Sequence, residues 1–370
     1  MFLSALHLNQ FRNLKKTELR FDPKDPLIVF LGENGQGKTN ILESIYLLAF
    51  SKSFRTKENA DLMGFNADFC SIKGAIESEV GDPTTLDLIV TRQPCKKGLK
   101  VNGVMQKTVD FIGHLKVVFF SPDDLLLVHS APQLRRRYLD MLLIQLDRSY
   151  LIDLMHYNEL IKQRNALLRQ IRHGKASRKY LEVWDEKVSQ KGYSLLARRH
   201  ETLKEIEGSV QMHYRAISQK EGESIQVEYQ SSAHERIESE ETFKKILEHH
   251  HPRDIEWGNT TIGPHRDDLV FTRNQKPLKD FGSRGEWRSL VLALKLTEIE
   301  LLKKRLKKAP LLLLDDVFSE LDDARQRHLF EAIQGVQTFV ATTHREFLNP
   351  IAQPKKVYRV QAGEINLTNS

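Results

Sequence analysis

Apolar and polar residues alternate from Phe2 to Leu8, the period-two pattern of a strand with one buried face. Leu27 to Leu31 is apolar throughout, as in a strand covered on both faces, and Ile41 to Phe50 has helical spacing. Asn102-Gly103, between Leu99-Lys100-Val101 and Val104-Met105, predicts a two-residue hairpin, and Val117 to Phe120 reads as a further buried strand. Ser121-Pro122-Asp123-Asp124 then offers an N-cap, a proline at the first helical position and two acids in the first turn, so a helix is expected to start there.

From about Ala131 the pattern changes to long helices: Gln133 towards Asp147, Ser149 to Gly174, and Ser177 to about Gly222. Leu151, Leu154, Leu160, Ile161, Leu167, Leu168 and Ile171 recur near helical spacing, and the short turn after His173 suits an antiparallel pair. The run is too short for an extended coiled coil. Residues 221 to 256 are mixed and acidic; strand signals, a strong helix from Glu286 to Leu306 and an apolar strand follow. The expected organisation is a head split into residues 1–125 and 256–370, with a helical arm, 126–255, inserted.

Hydrophobic residues at 40% and charged residues at 28% exclude a disordered or fibrous chain, and 370 residues favour two packed units over one core. Cys70 and Cys95 form no CxxC pair and no cluster with histidine, so neither a zinc site nor a disulfide framework is expected, as suits a reducing cytoplasm. The N-terminus reads as a strand and not a signal peptide, and no apolar run reaches bilayer-spanning length, so a cytoplasmic protein with no membrane partner is expected. The formal charge of +7 is unevenly placed: Leu134 to Lys220 holds 18 Lys/Arg against 10 Asp/Glu. This excess, Arg135-Arg136-Arg137 and Arg198-Arg199 included, is a candidate phosphate footprint, although helical faces are often basic without binding anything.

Gly32-Glu33-Asn34-Gly35-Gln36-Gly37-Lys38-Thr39 fits G-x-x-x-x-G-K-[ST], directly after an apolar strand and before a helix. Its backbone N–H groups would cradle ATP phosphates, Lys38 would meet the β and γ oxygens, and Thr39 would give an oxygen to Mg2+. Chance produces such a pattern in roughly one chain of this length per hundred, before strand and helix are demanded. Leu311 to Leu314 followed by Asp315-Asp316 reads as a buried parallel strand ending in two carboxylates. Asp315 would hold the magnesium, and Asp316 would orient or deprotonate an attacking water. Roughly 275 residues separate Lys38 from Asp315, far more than one βαβ unit needs. Ser283-Arg284-Gly285-Glu286 opens a helix suited to a phosphate, although alone it is more often a cap.

P-loop, S-x-G-E before a helix, LLLLDD and SELD, in that order, resemble the ATPase head of the ABC and SMC superfamily. The resemblance implies an α/β fold: a split ABC/SMC-type P-loop head with an inserted helical arm. More narrowly, FRNL, GENGQGKTNILESIYLLAFSKSFRT, FSPDDL, LRRRYLD, GPHRDDL and ALKLTEIE resemble the RecF family of bacterial recombination and gap-repair ATPases, over nearly the whole chain. By that resemblance, Ser283 and Gly285 would touch the γ-phosphate of a second copy, and Asp322 would lie at the dimer interface. Arg12 and Asn13 would approach the adenine, and His344, after Val340-Ala341-Thr342-Thr343, would sense the γ-phosphate or else be an ordinary loop histidine. Arg284 and Trp287 depart from the usual signature.

The implied function is ATP-dependent DNA binding in recombinational repair and replication-gap processing, by an ATP-gated homodimer with slow DNA-stimulated hydrolysis. It would bind double-stranded DNA and single-strand/double-strand junctions, meet mediators of the RecR and RecO type, and help load a recombinase. Two other readings are the nucleotide-binding subunit of an ABC-type transporter and a DNA-binding scaffold that holds ATP unhydrolysed. His265-Arg266-Asp267-Asp268 resembles a kinase catalytic loop but lacks its companion motifs. His249-His250-His251 is expected at the surface, and Lys52 to Lys57, with Phe54, reads as a phosphate contact or a solvated loop.

Overall fold

In a computed structural model, which describes residues 1–77, 82–219, 222–346 and 355–368, the chain divides into two compact units. Met1–Asp124 and Leu292–Ser370 form the first; Leu125–Val291 forms the second.

The first unit holds two six-stranded sheets. The alternating N-terminal segment becomes strand Phe2–Phe11, flanked antiparallel by Leu14–Arg20 and Phe69–Glu77, and the sheet continues through Thr84–Thr91 and Lys96–Val101 to Val104–Met105. Asn102 and Gly103, with φ of 51° and 79°, make the expected left-handed hairpin turn. The apolar segments assemble into the other sheet together with two C-terminal strands of mixed polarity. Val117–Phe120, Leu311–Asp315, Thr338–Thr342, Leu27–Leu31 and Lys355–Gln361 run parallel, in that spatial order, with Glu364–Leu367 antiparallel at the edge.

Helix Lys38–Phe50 packs against strands of both sheets and is buried nearly all round, so it is not amphipathic. Gln337 joins the sheets directly: its side chain accepts from Leu3 N–H at 2.7 Å and donates to Leu3 O at 2.9 Å. The helix expected at Ser121 is a 3-10 turn, Pro122–Leu125, followed by one helical turn, Leu126–His129. Asp124 there accepts from Ser121 N–H and pairs with the buried Lys295, which diverts the segment from a continuous helix.

The second unit contains helices Pro132–Leu146, Arg148–Arg172, Leu181–Ser218, Glu240–His249 and His251–Trp257. The third of these was expected to reach Gly222; residues 220 and 221 lie outside the described residues. Strand signals after residue 256 were assigned to the head by sequence, and the structure corrects this. Asp268–Arg273 pairs antiparallel with Ile225–Gln230 and Lys276–Pro277 in a three-stranded sheet of the second unit, so the first unit resumes at Leu292 and not at residue 256. Alternation marks a strand without saying which sheet it joins.

The arginines offered as a phosphate footprint are largely turned inward. Arg135 forms a two-point pair with Asp268 at 2.7 and 2.8 Å, and Arg136 donates to Asp267 O. Arg199 is fully buried and donates to Asp140, Tyr150, Tyr229 and Pro264 O, while Arg198 pairs with Asp147 and Asp153. Buried guanidinium groups need such partners, and GPHRDDL supplies several of them. His251 is likewise no surface histidine: its Nε2 lies 2.6 Å from Asp185, which with Asp254 binds the buried Arg164.

His265 of the same motif lies between Tyr157 Oη, 2.8 Å from Nδ1, and Thr260 O, 3.2 Å from Nε2. One hydroxyl donor and one carbonyl acceptor suit a neutral ring, and burial pushes its pKa down to about 3. Its stabilisation is therefore complete above the ordinary value of 6.5 and is lost as pH falls from there towards 3. We expect urea unfolding of the wild type to lose stability between pH 7.5 and 5, with this residue contributing up to about 1.4 kcal/mol per pH unit. His265→Asn should flatten that dependence, and an unchanged slope would show that the ring does not carry it.

Candidate nucleotide site

Strand Leu27–Leu31 delivers Gly32 to Thr39 to the carboxyl end of the parallel sheet, and a helix begins at Lys38. Gly37 has φ of 116°, and a Cβ there would lie 2.8 Å from Asn13 Oδ1; at Gly32 a Cβ would meet Val360 O at 2.3 Å. Both positions require glycine, one by backbone and crowding and the other by close approach. Lys38 Nζ donates to Gly32 O at 2.6 Å and Glu33 O at 2.8 Å, so the loop curls around its own ammonium. Burial pushes the Lys38 pKa down, opposed by the charges of Asp316 and Asp315.

Leu311–Asp315 is one strand removed from Leu27–Leu31, across Thr338–Thr342. Thr39 Oγ1 donates to Asp315 Oδ1 at 2.9 Å, joining residues 276 positions apart. Burial raises the Asp315 carboxyl above its usual range; the Thr39 hydroxyl opposes this, and Arg55 and Lys38 also hold it down. Asp316 adopts a left-handed backbone, φ 51°, fixed by its N–H to Ala341 O at 2.8 Å and by Ser319 Oγ donating to its carbonyl at 2.7 Å. Its Oδ1 is buried with no hydrogen-bond partner. Among the described residues no group of three or more His, Cys, Asp or Glu gathers for a metal. One hydroxyl and one carboxylate suit magnesium, which takes its remaining ligands from phosphate and water.

The FRNL motif is the hairpin turn between Phe2–Phe11 and Leu14–Arg20, with Arg12 at φ 55°. Asn13 Nδ2 donates to Gln36 O at 2.9 Å and its Oδ1 accepts from Asn40 at 2.8 Å, so it braces the P-loop from outside. Arg12 turns to Glu43, a fully buried carboxylate on helix Lys38–Phe50, through two hydrogen bonds of 2.7 and 3.0 Å, and donates to Asp61 O at 2.7 Å. Arg55 donates to Asn40 Oδ1 at 2.7 Å and lies 3.7 Å from Glu43. From sequence alone Arg55 falls in a basic loop, Lys52 to Lys57, that reads equally as a phosphate contact or solvated; its position just after the P-loop helix is the signal for its role. Phe54 stacks on Phe119 with ring centres 4.2 Å apart, which anchors that loop to the head.

His344 follows Thr338–Thr342, its N–H donating to Thr342 Oγ1 at 3.2 Å and its Nδ1 3.4 Å from Glu346. Asp322 caps helix Asp323–Ala332 through Arg325 N–H and pairs with the Arg325 side chain.

Ser283 and Gly285 belong to the second unit. Ser283 N–H donates to Glu286 Oε2 at 2.8 Å and Ser283 Oγ accepts from Glu286 N–H at 3.3 Å, a reciprocal cap on helix Arg284–Leu306. The Ser283 hydroxyl proton is not used in that cap. Trp287, a departure from the usual signature, packs inward: its Nε1–H donates to Leu278 O at 2.9 Å and its ring stacks on His129 at 4.8 Å.

A P-loop whose threonine bonds the first carboxylate of a distant strand, on a parallel sheet backed by an antiparallel one, is the head fold of ABC and SMC ATPases. A crystal structure of an Smc head bound to the C-winged helix domain of ScpA shares this fold at a TM-score of 0.57 and 17% identity, covering 100% of this chain and 97% of that one. Residues 2–366 match the RecF/RecN/SMC N-terminal domain family. The DNA replication and repair protein RecF of Streptococcus pneumoniae strain P1031 is 38% identical over 100% of both chains, and that of serotype 4 strain TIGR4 is 39% identical over 98% of both. Solved structures of the recombination mediator protein RecF in the RecFOR pathway, one named with ATP and one with ATPrS, are 30% and 29% identical at a TM-score of 0.90, covering 100% of this chain and 98% of theirs. The chain belongs to the RecF family.

Removing Arg12 would leave the buried Glu43 carboxylate to the more distant Arg55 and to Ser53. Loss of a buried partner costs about 3–5 kcal/mol, and the remaining contacts reduce this to about 2–3 kcal/mol for Arg12→Ala in urea unfolding. Adding Glu43→Gln should recover much of the loss. A double variant no more stable than the single one would show that Arg12 acts by packing alone.

Proposed function

We propose that the chain is an ATP-switched DNA-binding protein of recombinational repair and replication-gap processing. The observation that carries this reading is the hydrogen bond from Thr39 to Asp315, because it ties a phosphate loop to a carboxylate of the kind that holds its metal. Names of the relatives support the rest: RecF proteins are called DNA replication and repair proteins, and solved ones are described with ATP in the RecFOR pathway.

With ATP present, Lys38 exchanges the carbonyls of Gly32 and Glu33 for the β and γ oxygens, and the loop N–H groups take the phosphates. Magnesium, held through Thr39 and Asp315, would neutralise charge on the transferring phosphate. Asp316, with its unpartnered Oδ1, orients or deprotonates the attacking water. His344 senses the γ-phosphate, and Arg12 and Asn13 fix the edge of the pocket near the adenine.

Ser283 and Gly285 of a second copy complete the site, with the Ser283 hydroxyl donating its spare proton and Asp322 at the interface. ATP then binds the closed dimer alone and shifts the population towards it, while slow hydrolysis reopens it. The closed dimer holds DNA and meets mediators of the RecR and RecO type in the cytoplasm, and so assists recombinase loading.

Three measurements test this. Lys38→Ala should weaken binding of a fluorescent ATP analogue at least about a hundredfold, since it removes the charge that meets two phosphates. Asp316→Asn should sediment as a dimer with ATP and magnesium and as a monomer without them. A persistent monomer would sink the sandwiched dimer, and turnover equal to wild type would remove Asp316 from the chemistry.

A further inference from the structure

Five Lys/Arg and no Asp or Glu fall within residues 169–180, at the turn joining helices Arg148–Arg172 and Leu181–Ser218. Arg169, Arg172, Lys175, Arg178 and Lys179 are all exposed, and among the described residues no carboxylate pairs with any of them. They contrast with Arg135, Arg164, Arg198 and Arg199 of the same unit, each held by internal carboxylates.

Helix His251–Trp257 ends against this turn. A Cβ placed on Gly258 would lie 2.9 Å from Arg169 Cγ and 3.9 Å from an Arg172 guanidinium nitrogen. That contact brings in Arg253, whose guanidinium carbon lies 5.3 Å from the centre of the Trp257 ring. Trp257, with Arg253 over one face of its ring, is 58% exposed and Tyr180 is 62% exposed, so aromatic surface is open to water beside these cations.

Cations alone would fit the phosphates of any duplex. Rings held open to water add something a duplex cannot use, because its bases are already stacked; an unpaired strand can lay its bases on them. An apolar protein face would have to desolvate five cations without answering them, whereas a phosphate backbone answers each.

We propose that this hairpin tip holds the unpaired strand of a single-strand/double-strand junction, with Arg169, Arg172, Lys175, Arg178 and Lys179 on its phosphates and Tyr180 and Trp257 on its bases. The proposal rests on the DNA-binding reading above and assigns a surface to the unpaired strand.

The test is fluorescence anisotropy with a labelled duplex and the same duplex carrying an oligo-dT tail. The proteins are wild type, the triple variant Arg172→Glu/Arg178→Glu/Lys179→Glu, and the double variant Tyr180→Ala/Trp257→Ala. All five side chains are exposed, and circular dichroism with ATP-analogue binding checks that the fold and nucleotide site are intact.

Wild type should prefer the tailed DNA. The triple variant should lose about tenfold on it and the double variant about fivefold, with duplex affinity within about twofold of wild type in both. Wild type that binds neither DNA would overturn the DNA-binding reading itself. Wild type that binds both, with variants that match it on the tailed DNA, would overturn the tip assignment and leave that reading standing. Equal losses on both DNAs would overturn the assignment to an unpaired strand.

Discussion

A carboxylate fully buried inside the P-loop helix has to be answered, and the answer organises the nucleotide end of the head. Glu43 cannot sit uncharged without losing its partners, nor charged without them. Arg12 reaches it from the first hairpin turn, Ser53 and Arg55 from the loop after the helix. The antiparallel sheet, the P-loop helix and the loop 51–61 are thereby locked to one another. Asn13, next to Arg12, extends the lock to Gln36 in the P-loop itself. Phosphate binding needs backbone N–H groups held in place before the ligand arrives, and this network does that holding.

The second unit solves the same problem on a larger scale. Its buried arginines are answered from distant sequence: Asp268 for Arg135, 133 positions away, and Asp254 for Arg164, 90 positions away. GPHRDDL therefore acts as a hub. Pro264 O, His265, Asp267 and Asp268 each satisfy a group on a different helix or strand. Among the described residues, the five cations of the hairpin tip have no carboxylate partner, so local charge counts and usable charge diverge within one unit.

This explains which parts were readable from sequence. The P-loop, the apolar strands Leu27–Leu31 and Leu311–Asp315, the Asn102-Gly103 turn and the helix pair about His173 are written in contiguous residues, where periodicity, glycine and proline act locally. Their assembly into one parallel sheet followed from the carboxylates ending the second strand. The placement of Asp268–Arg273 was not readable, since alternation is the same in any antiparallel sheet. Nor was the burial of Arg135, Arg199 and His251, because each depends on a partner far along the chain. Trp287 looked like a defect in the signature, and only its bond to Leu278 O shows it to be a packing residue.

Asp316 carries the remaining tension. A non-glycine residue in the left-handed region costs of order 1–2 kcal/mol, and a buried oxygen without a partner adds a desolvation penalty of similar size. Both are sustained by the neighbours: Ala341 O holds the N–H and Ser319 holds the carbonyl. Relaxing the backbone would relieve the strain but break the hydrogen bonds to Ala341 O and from Ser319. On the function proposed above, the strain would be the cost of holding an acceptor in place beforehand, with the Oδ1 unpartnered. Asparagine tolerates the left-handed region better than most residues and has nearly the same shape. Replacing Asp316 by asparagine therefore leaves the backbone where it is and isolates the effect of the charge.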